Sequence, residues 1–152
     1  MNTENRPGSV DDLSRLYREI ILQHSSQPVG FHKSIKETCR HEQFNPLCGD
    51  RIVIMLQVEG ETIRDAAFEG ESCAICKASA SLLCELIPGE RVEKFGRTHD
   101  WLKNSLVSNE ETDGPDGLKA LLGVRKYPSR IECVTLPWTA AAKALLRLAT
   151  SQ

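Results

Sequence analysis

Four side chains that could bind a metal lie at turns or at the ends of predicted elements, in three separate parts of the chain. They are Cys48, Asp50, Cys73 and Cys133. Three cysteine thiolates and one carboxylate are a suitable ligand set for one tetrahedral zinc ion, or for one end of an iron–sulfur cluster. A fold that uses this set must therefore bring a turn, a helix start and a later junction to one point.

Length and composition limit the classes of protein that this chain can belong to. The 152 residues suffice for one domain with its own core, predicted at 9–152 after a disordered leader at 1–8. The net charge of −2 gives no reason to expect nucleic acid or an anionic membrane as a partner. No apolar stretch is long enough to span a membrane and residues 1–9 contain no signal-peptide core, which predicts a cytoplasmic location. Thiols stay reduced there, so the six cysteines indicate metal or thiol chemistry rather than disulfides.

The spacing of apolar residues predicts an α+β fold. Alternating apolar residues at 52–58 predict a strand, which a turn connects to a partner strand at 62–68, and a weaker strand is predicted within 34–42. A polar, acidic loop is predicted at 109–117. We therefore expect a short antiparallel sheet of about three strands, packed on one face against several helices. The predicted helices span about 11–24, 73–86, 90–107, 118–124 and 139–150, with Pro137 marking the start of the last one.

Cys48 is the cysteine whose position is most unusual. It lies between Pro46 and Gly49, where the chain is expected to turn before a strand. Free cysteine is normally a buried residue, so a cysteine on an exposed turn favours a functional role over a half-buried structural one. Asp50 would be ordinary on its own, and its distance of two residues from Cys48 makes it a candidate ligand.

Cys73 and Cys133 also lie at the ends of predicted elements. Cys73 is at the start of a predicted helix, where the helix dipole and free N–H groups stabilise a thiolate. Cys76 is one helical turn further on, and it is either a second thiol beside the site or a small core residue. Cys133 follows a predicted turn at 127–130.

The remaining cysteines and the histidines are not predicted to bind metal. Cys39 and Cys84 fall within predicted elements and are expected to be structural. None of the histidines has the spacing of a metal ligand, so each is predicted to be solvated. The four histidines are His24, His32, His41 and His99.

Several sequence motifs, taken together, resemble one protein family across about residues 13–147. The chain is similar to the U-type iron–sulfur cluster assembly proteins, a group that includes IscU, the N-terminal domain of NifU, and SufU. This resemblance implies a SufE/NifU-like α+β fold. Within the family it is most similar to the SufU branch, because it has an insert at about 96–122 and a SufU-like ending at 123–138. The motifs that carry the resemblance are Asn45-Pro46-Leu47-Cys48-Gly49-Asp50, Phe68-Glu69-Gly70-Glu71-Ser72-Cys73, Ala78-Ser79-Ala80-Ser81 and Leu16-Tyr17-Arg18-Glu19-Ile20-Ile21.

The resemblance implies a function and a set of partners. A SufU-like protein is a zinc-dependent sulfurtransferase that accepts persulfide sulfur from a pyridoxal-phosphate cysteine desulfurase of the SufS type. Cys48 would be the acceptor thiol, and the sulfur would pass to an iron–sulfur scaffold or to an apo-protein. The alternative, from a different class, is a scaffold that assembles and delivers a transient [2Fe–2S] cluster. In both cases the ligands would be Cys48, Asp50, Cys73 and Cys133.

Two positions depart from the family pattern. Glu132 occupies the place of the histidine that completes the ligand set of IscU and of the lysine typical of SufU. Because a carboxylate does not supply the missing imidazole, Glu132 favours sulfur transfer over the scaffold. Cys76 stands where SufU usually has serine. A purely structural zinc site is disfavoured because two of the four ligands lie on a loop.

Overall fold

A computed structural model describes residues 10–108 and 114–151 of the chain. The predicted leader at 1–8 lies outside the described residues, and so does most of the predicted acidic loop at 109–117.

The sheet has three antiparallel strands in the order β1-β2-β3, which are Cys39–Asn45, Asp50–Glu59 and Thr62–Glu69. Because side chains alternate across a strand, Ile52, Ile54 and Leu56 point to one face, where they are fully buried beneath the helices. Val53 and Met55 lie on the opposite face in a small separate cluster. The predicted hairpin at 52–68 is therefore confirmed, with the helices packed on one face of the sheet.

The helices account for most of the rest of the described chain. The last helix packs on β1, β2 and the second helix, and the first helix packs on the second. The α+β prediction is confirmed. Within the described residues, no helix is both long enough and apolar enough to cross a membrane. The helices are α1 Val10–Ser26, α2 Ala74–Leu86, α3 Val92–Val107, α4 Asp116–Lys119 and α5 Ile131–Thr150, with 3₁₀ segments at Ala120–Lys126 and Pro128–Arg130.

A buried polar contact fixes α2 against α5. The Ser79 hydroxyl donates to the Val134 carbonyl at 2.5 Å and accepts from the Trp138 indole nitrogen at 3.1 Å. Ser79 and Trp138 are both fully buried, so water cannot replace these hydrogen bonds and breaking one would leave a buried polar atom without a partner. The two helices that this contact joins carry Cys73 and Cys133 at their starts.

The prediction that the last helix starts near Pro137 is wrong. Helix α5 begins at Ile131 and continues through Pro137. Proline is most favourable in the first turn of a helix because it has no N–H to donate, which made Pro137 look like a start signal. Here the residue whose carbonyl loses that donor is Cys133, four positions earlier. Cys133 consequently lies in the first turn of α5 rather than in a junction before it.

The weak first strand was predicted too early, at 34–42 instead of Cys39–Asn45. Its side chains alternate between half-buried and exposed, and most of them are polar. An edge strand of this kind has a weak hydrophobic signal, so its ends are poorly defined by the sequence. The correction extends β1 to Asn45, which pairs directly with Asp50 across the turn that contains Cys48.

Candidate metal centre

The β1–β2 turn presents Cys48 to solvent and holds Asp50 at the start of β2. The Asn45 side chain accepts from the Leu47 N–H at 3.1 Å, and the Asn45 carbonyl accepts from the Gly49 N–H at 2.8 Å. Gly49 has φ +75°, a conformation that favours glycine. The turn is thus fixed by its own hydrogen bonds, with the Cys48 side chain exposed and the Asp50 side chain buried.

Cys73 is the N-cap residue of α2 and is tied directly to Asp50. The Cys73 N–H donates to Asp50 Oδ1 at 2.8 Å, and the Cys73 sulfur accepts from the Cys76 N–H at 3.4 Å. A sulfur at this position takes the place of the oxygen that usually caps a helix, and the positive end of the helix dipole favours its anionic form. The predicted helix start at Cys73 is confirmed.

Cys133 approaches from the opposite side, in the first turn of α5. Its side chain is buried, and its thiol adjoins both the Cys73 thiol and the Arg130 guanidinium. Burial raises the pKa of Cys133 to about 12, the adjacent Cys73 thiol adds to this effect, and the neighbouring Arg130 guanidinium opposes it.

Three of the four predicted ligands meet closely, and the fourth adjoins them. One ligand atom each from Cys48, Asp50 and Cys133 lies within 4.8 Å of the others. The Cys73 sulfur is not one of these three mutually close atoms, but it lies next to the Cys133 thiol, and its backbone N–H bonds to Asp50. The four residues therefore converge on one point from the β1–β2 turn, the α2 start and the α5 start.

The chemistry of this cluster fits a soft divalent cation. Asp50 Oδ1 accepts the Cys73 N–H, whereas Oδ2 is buried and has no hydrogen-bond partner. Burial raises the pKa of Cys73, and the nearby Asp50 carboxylate raises it further. Leaving a buried carboxylate oxygen without a hydrogen-bond partner costs free energy, and so does ionising thiols that lie close together. A bound cation would reduce both of these costs. Three sulfurs and one oxygen are donors of the type that zinc takes in tetrahedral sites.

Arg130 is a site residue that the sequence analysis missed. It precedes Cys133 by three residues, and its guanidinium lies next to the Cys133 thiol, with the Cys73 and Cys48 thiols also nearby. The signal that could have found it is the i, i+3 spacing at a helix start, which places both residues on one side. Because the last helix was predicted to start near Pro137 instead of Ile131, Arg130 and Cys133 were not expected to lie at a helix start.

The other three cysteines are not part of the group of close ligand atoms. Cys76 is fully buried in the core, and burial strongly raises the pKa of its thiol, with the Asp50 carboxylate adding to the effect. Cys84 is buried in the same core cluster. Cys39 is half-buried in β1 and packs against that cluster. The structural role of Cys39 and Cys84 stays a prediction, and both residues lie in or against the core.

The histidines do not contribute to the group of close ligand atoms either. The prediction that His24 is solvated is wrong, because its side chain is buried between α1 and α2. Its Nδ1 lies 2.7 Å from Ser81 Oγ, and its Nε2 lies 3.4 Å from Glu85 Oε2.

Burial lowers the pKa of His99. Glu132 is exposed on α5 and is likewise absent from the group of close ligand atoms.

Residues 16–146, most of the chain, match the family of the NifU-like N-terminal domain. The chain belongs to this family. The zinc-dependent sulfurtransferase SufU of Bacillus subtilis is 34% identical over 138 residues, which cover 90% of this chain and 93% of that protein. The iron–sulfur cluster assembly scaffold protein IscU of Thermotoga maritima is also 34% identical, over 88% of this chain and 94% of its own. A relative named as a sulfurtransferase and one named as a scaffold protein thus both match this NifU-like domain.

Solved structures have the same fold as this NifU-like domain. The N-terminal domain of a NifU-like protein from Brucella abortus superposes with a TM-score of 0.83, covering 95% of this chain and all of that one, at 20% identity. A protein of the SUF iron–sulfur assembly system from Fervidobacterium islandicum superposes with a TM-score of 0.75, at 28% identity, covering 86% of this chain and 97% of its own. The architecture is therefore that of the family.

Proposed function

We propose that this NifU-like domain is a zinc-dependent sulfur carrier for iron–sulfur cluster assembly, with Cys48 as the thiol that accepts persulfide sulfur. The observation that carries the proposal is the convergence of Cys48, Asp50 and Cys133, with Cys73 adjoining, in which Cys48 alone of the three thiols is exposed. The relative from Bacillus subtilis, named as a zinc-dependent sulfurtransferase, supports the same function.

The ligands in this proposal are Cys48, Asp50, Cys73 and Cys133, and zinc would keep their thiols deprotonated and unreactive until sulfur arrives. Asp50 has a second task, because its Oδ1 holds the start of α2 through the Cys73 N–H. Arg130 places a positive charge against the Cys133 sulfur, which reduces the net negative charge of a site with four anionic ligands.

Cys48 is suited to be the nucleophile because it is more accessible than the other two thiols. It lies on an exposed turn, whereas Cys73 caps a helix and Cys133 is buried. Thiolate is the form that attacks a persulfide, so the residue that leaves the site first is the one that reacts.

The donor of the sulfur would be a pyridoxal-phosphate cysteine desulfurase of the SufS type, and the acceptor an iron–sulfur scaffold or an apo-protein. The surface around Cys48 is consistent with a protein partner. Leu47, its direct neighbour, is 88% exposed, and Phe44 on the same hairpin is 56% exposed. Large apolar side chains exposed beside a reactive thiol would be covered when a partner docks.

A second candidate function is a scaffold that holds a transient [2Fe–2S] cluster. Relatives named as IscU scaffold proteins, from Thermotoga maritima and Streptococcus pyogenes, match this chain at 34% and 31% identity. The same three thiols and Asp50 would bind the cluster, with oxygen as its weakest ligand. We rank this function second because Glu132 stands where a scaffold of the IscU type has an imidazole ligand.

Metal content tests the ligand set. The purified protein is expected to contain about one zinc per chain. Replacing Cys48, Cys73 or Cys133 by alanine should each lower the zinc content and the melting temperature, because metal binding is coupled to folding. Elemental analysis by mass spectrometry measures the first quantity and thermal unfolding the second. The matched controls are Cys39→Ala and Cys84→Ser, which remove thiols outside the site, and loss of zinc from either one would overturn the ligand assignment.

Stimulation of a cysteine desulfurase separates the two candidate functions. A sulfur carrier should raise cysteine turnover severalfold without iron, and removal of zinc should abolish the effect. Asp50→Ala should reduce the stimulation because it removes a ligand and the acceptor of the Cys73 N–H. Asp50→Asn retains that acceptor and isolates the role of the anionic oxygen.

A scaffold would behave differently in the same assay. It would stimulate turnover little without iron, and its Asp50→Ala variant would hold a longer-lived, coloured cluster after reconstitution, since a labile oxygen ligand is gone. Equal stimulation by the zinc-free protein would exclude the zinc-dependent mechanism.

A further inference from the structure

Cys73 and Cys76 form a dithiol pair at the start of α2. Cys73 is the N-cap residue and Cys76 lies one turn later, so the two side chains share one side of the helix. Cys76 is fully buried and is not among the group of close ligand atoms. The ligand set therefore leaves this thiol without a role, although it lies beside two members of that set, Asp50 and Cys73.

The geometry of the pair is compatible with a bond between the two sulfurs. The Cys76 N–H donates to the Cys73 sulfur at 3.4 Å, which holds that sulfur over the first turn of the helix. Within a helix, residues spaced i, i+3 have Cβ atoms about 5–6 Å apart, whereas a disulfide brings its two Cβ atoms to roughly 3.5–4.5 Å. Cys73 is the N-cap with an extended backbone rather than a helical residue, so its side chain is not held at the helical separation. Ser72 Oγ has no hydrogen-bond partner of normal geometry and lies next to the Cys76 thiol.

We propose that Cys76 is a resolving thiol that releases the carried sulfur from Cys73 as sulfide. This inference rests on the proposed function, because it requires a persulfide at the site. In the first step, the Cys73 thiol attacks the terminal sulfur of a Cys48 persulfide, which regenerates the Cys48 thiol and leaves the persulfide on Cys73.

In the second step, the Cys76 sulfur attacks the Cys73 sulfur. The Cys73–Cys76 bond forms, and the bond from Cys73 to the terminal sulfur breaks. The terminal sulfur leaves with the electron pair of that bond and takes the proton of the Cys76 thiol, which gives H₂S. The delivered sulfur is reduced, the cysteine pair is oxidised to a disulfide, and no external reductant is needed for one turnover.

The burial of Cys76 suits this role. A thiol that solvent does not reach is shielded from external oxidants and from the sulfur donor, so its accessible reaction partner is the neighbouring Cys73. Iron–sulfur clusters contain sulfide, which is more reduced than persulfide sulfur. A carrier with an internal dithiol would therefore supply sulfur in the oxidation state that a cluster uses.

The test uses the full-length protein as purified, loaded anaerobically with glutathione persulfide and then desalted. Trypsin places Cys73 and Cys76 together in peptide 65–77, while Cys48 and Cys133 fall in peptides 41–51 and 131–143. We expect about one sulfide released per chain, with the mass of peptide 65–77 lower by two hydrogens. Cys76→Ser should still gain sulfur but release sulfide at least about tenfold more slowly, whereas Cys84→Ser, which removes another buried thiol, should match the parent.

Two results would overturn the proposal. One is release of sulfide by Cys76→Ser at the parent rate, and the other is a disulfide that joins Cys48 or Cys133 in place of Cys76. Failure of the proposed function has a different signature, in which peptide 41–51 never gains sulfur. A persulfide formed directly on Cys73 by the reagent would still test the pair in that case.

Discussion

Replacing Cys48 by serine is expected to abolish sulfur acceptance from a desulfurase, with a loss of at least about tenfold in persulfide formed per chain. Serine keeps the size of the side chain on an exposed turn, so the backbone hydrogen bonds from Asn45 should persist. The variant removes the nucleophile and, with it, one of the proposed zinc ligands, while the turn keeps its backbone conformation. Peptide mass mapping after incubation with desulfurase and cysteine measures the result, and in the parent chain the added sulfur should appear first on peptide 41–51.

The matched comparison is Cys133→Ser, in which a buried thiol of the same cluster is lost. This variant should lose metal and with it the zinc-dependent stimulation of turnover, yet retain a slow gain of sulfur at Cys48, because the exposed thiol remains. If the added sulfur appeared first on peptide 65–77 of the parent chain, Cys48 would not be the acceptor thiol, and Cys73 or Cys76 would be.

Much of the fold follows from local patterns in the sequence. The alternation of Ile52, Ile54 and Leu56 with Val53 and Met55 predicted β2, because a strand buried on both faces has apolar residues at every position. The helix at α2 was predicted from its small and apolar residues, with Cys73 at its start. These signals are local, so tertiary packing did not override them.

The errors occurred where tertiary contacts override local preference. Pro137 favours a helix start, yet α5 continues through it, because the surrounding residues are buried against α2 and the sheet. His24 has a polar side chain, yet it is buried because Ser81 on the facing helix accepts or donates a hydrogen bond at 2.7 Å. Neither partner can be identified from sequence spacing, since Ser81 is 57 positions away from His24.

The candidate site shows the same division. The sequence predicted Cys48, Asp50, Cys73 and Cys133 because each lies at an element end, a property that a single chain reveals. It did not predict the bond from the Cys73 N–H to Asp50, which joins positions 23 residues apart. Arg130 was missed for a local reason, because its relation to Cys133 depends on where α5 begins.

The substitution Gly70→Ala is expected to destabilise the protein severely and to empty the site. Gly70 has φ +127°, a conformation that L side chains rarely adopt, and an added Cβ would lie 2.2 Å from the Arg51 carbonyl oxygen. That oxygen belongs to the backbone of β2, directly after Asp50, and the neighbouring Glu71 carbonyl accepts from the Arg51 N–H at 2.8 Å. Backbone strain and the steric overlap together should cost about 2–5 kcal/mol. Thermal unfolding should show a melting temperature lower by roughly 5–15 °C, with zinc content reduced.

Gly60→Ala is the control that separates strain from steric overlap. Gly60 also has a positive φ, +60°, but an added Cβ there would meet nothing within 4 Å, and the residue lies in the β2–β3 turn. It should cost only about 1–2 kcal/mol and leave the zinc content unchanged. Equal effects of the two substitutions would mean that the close approach of Gly70 to Arg51 does not support the site. A larger loss of metal for Gly70→Ala would show that the contact between the end of β3 and the start of β2 holds Asp50 and Cys73 in place, and that the ligand geometry depends on a residue that binds nothing.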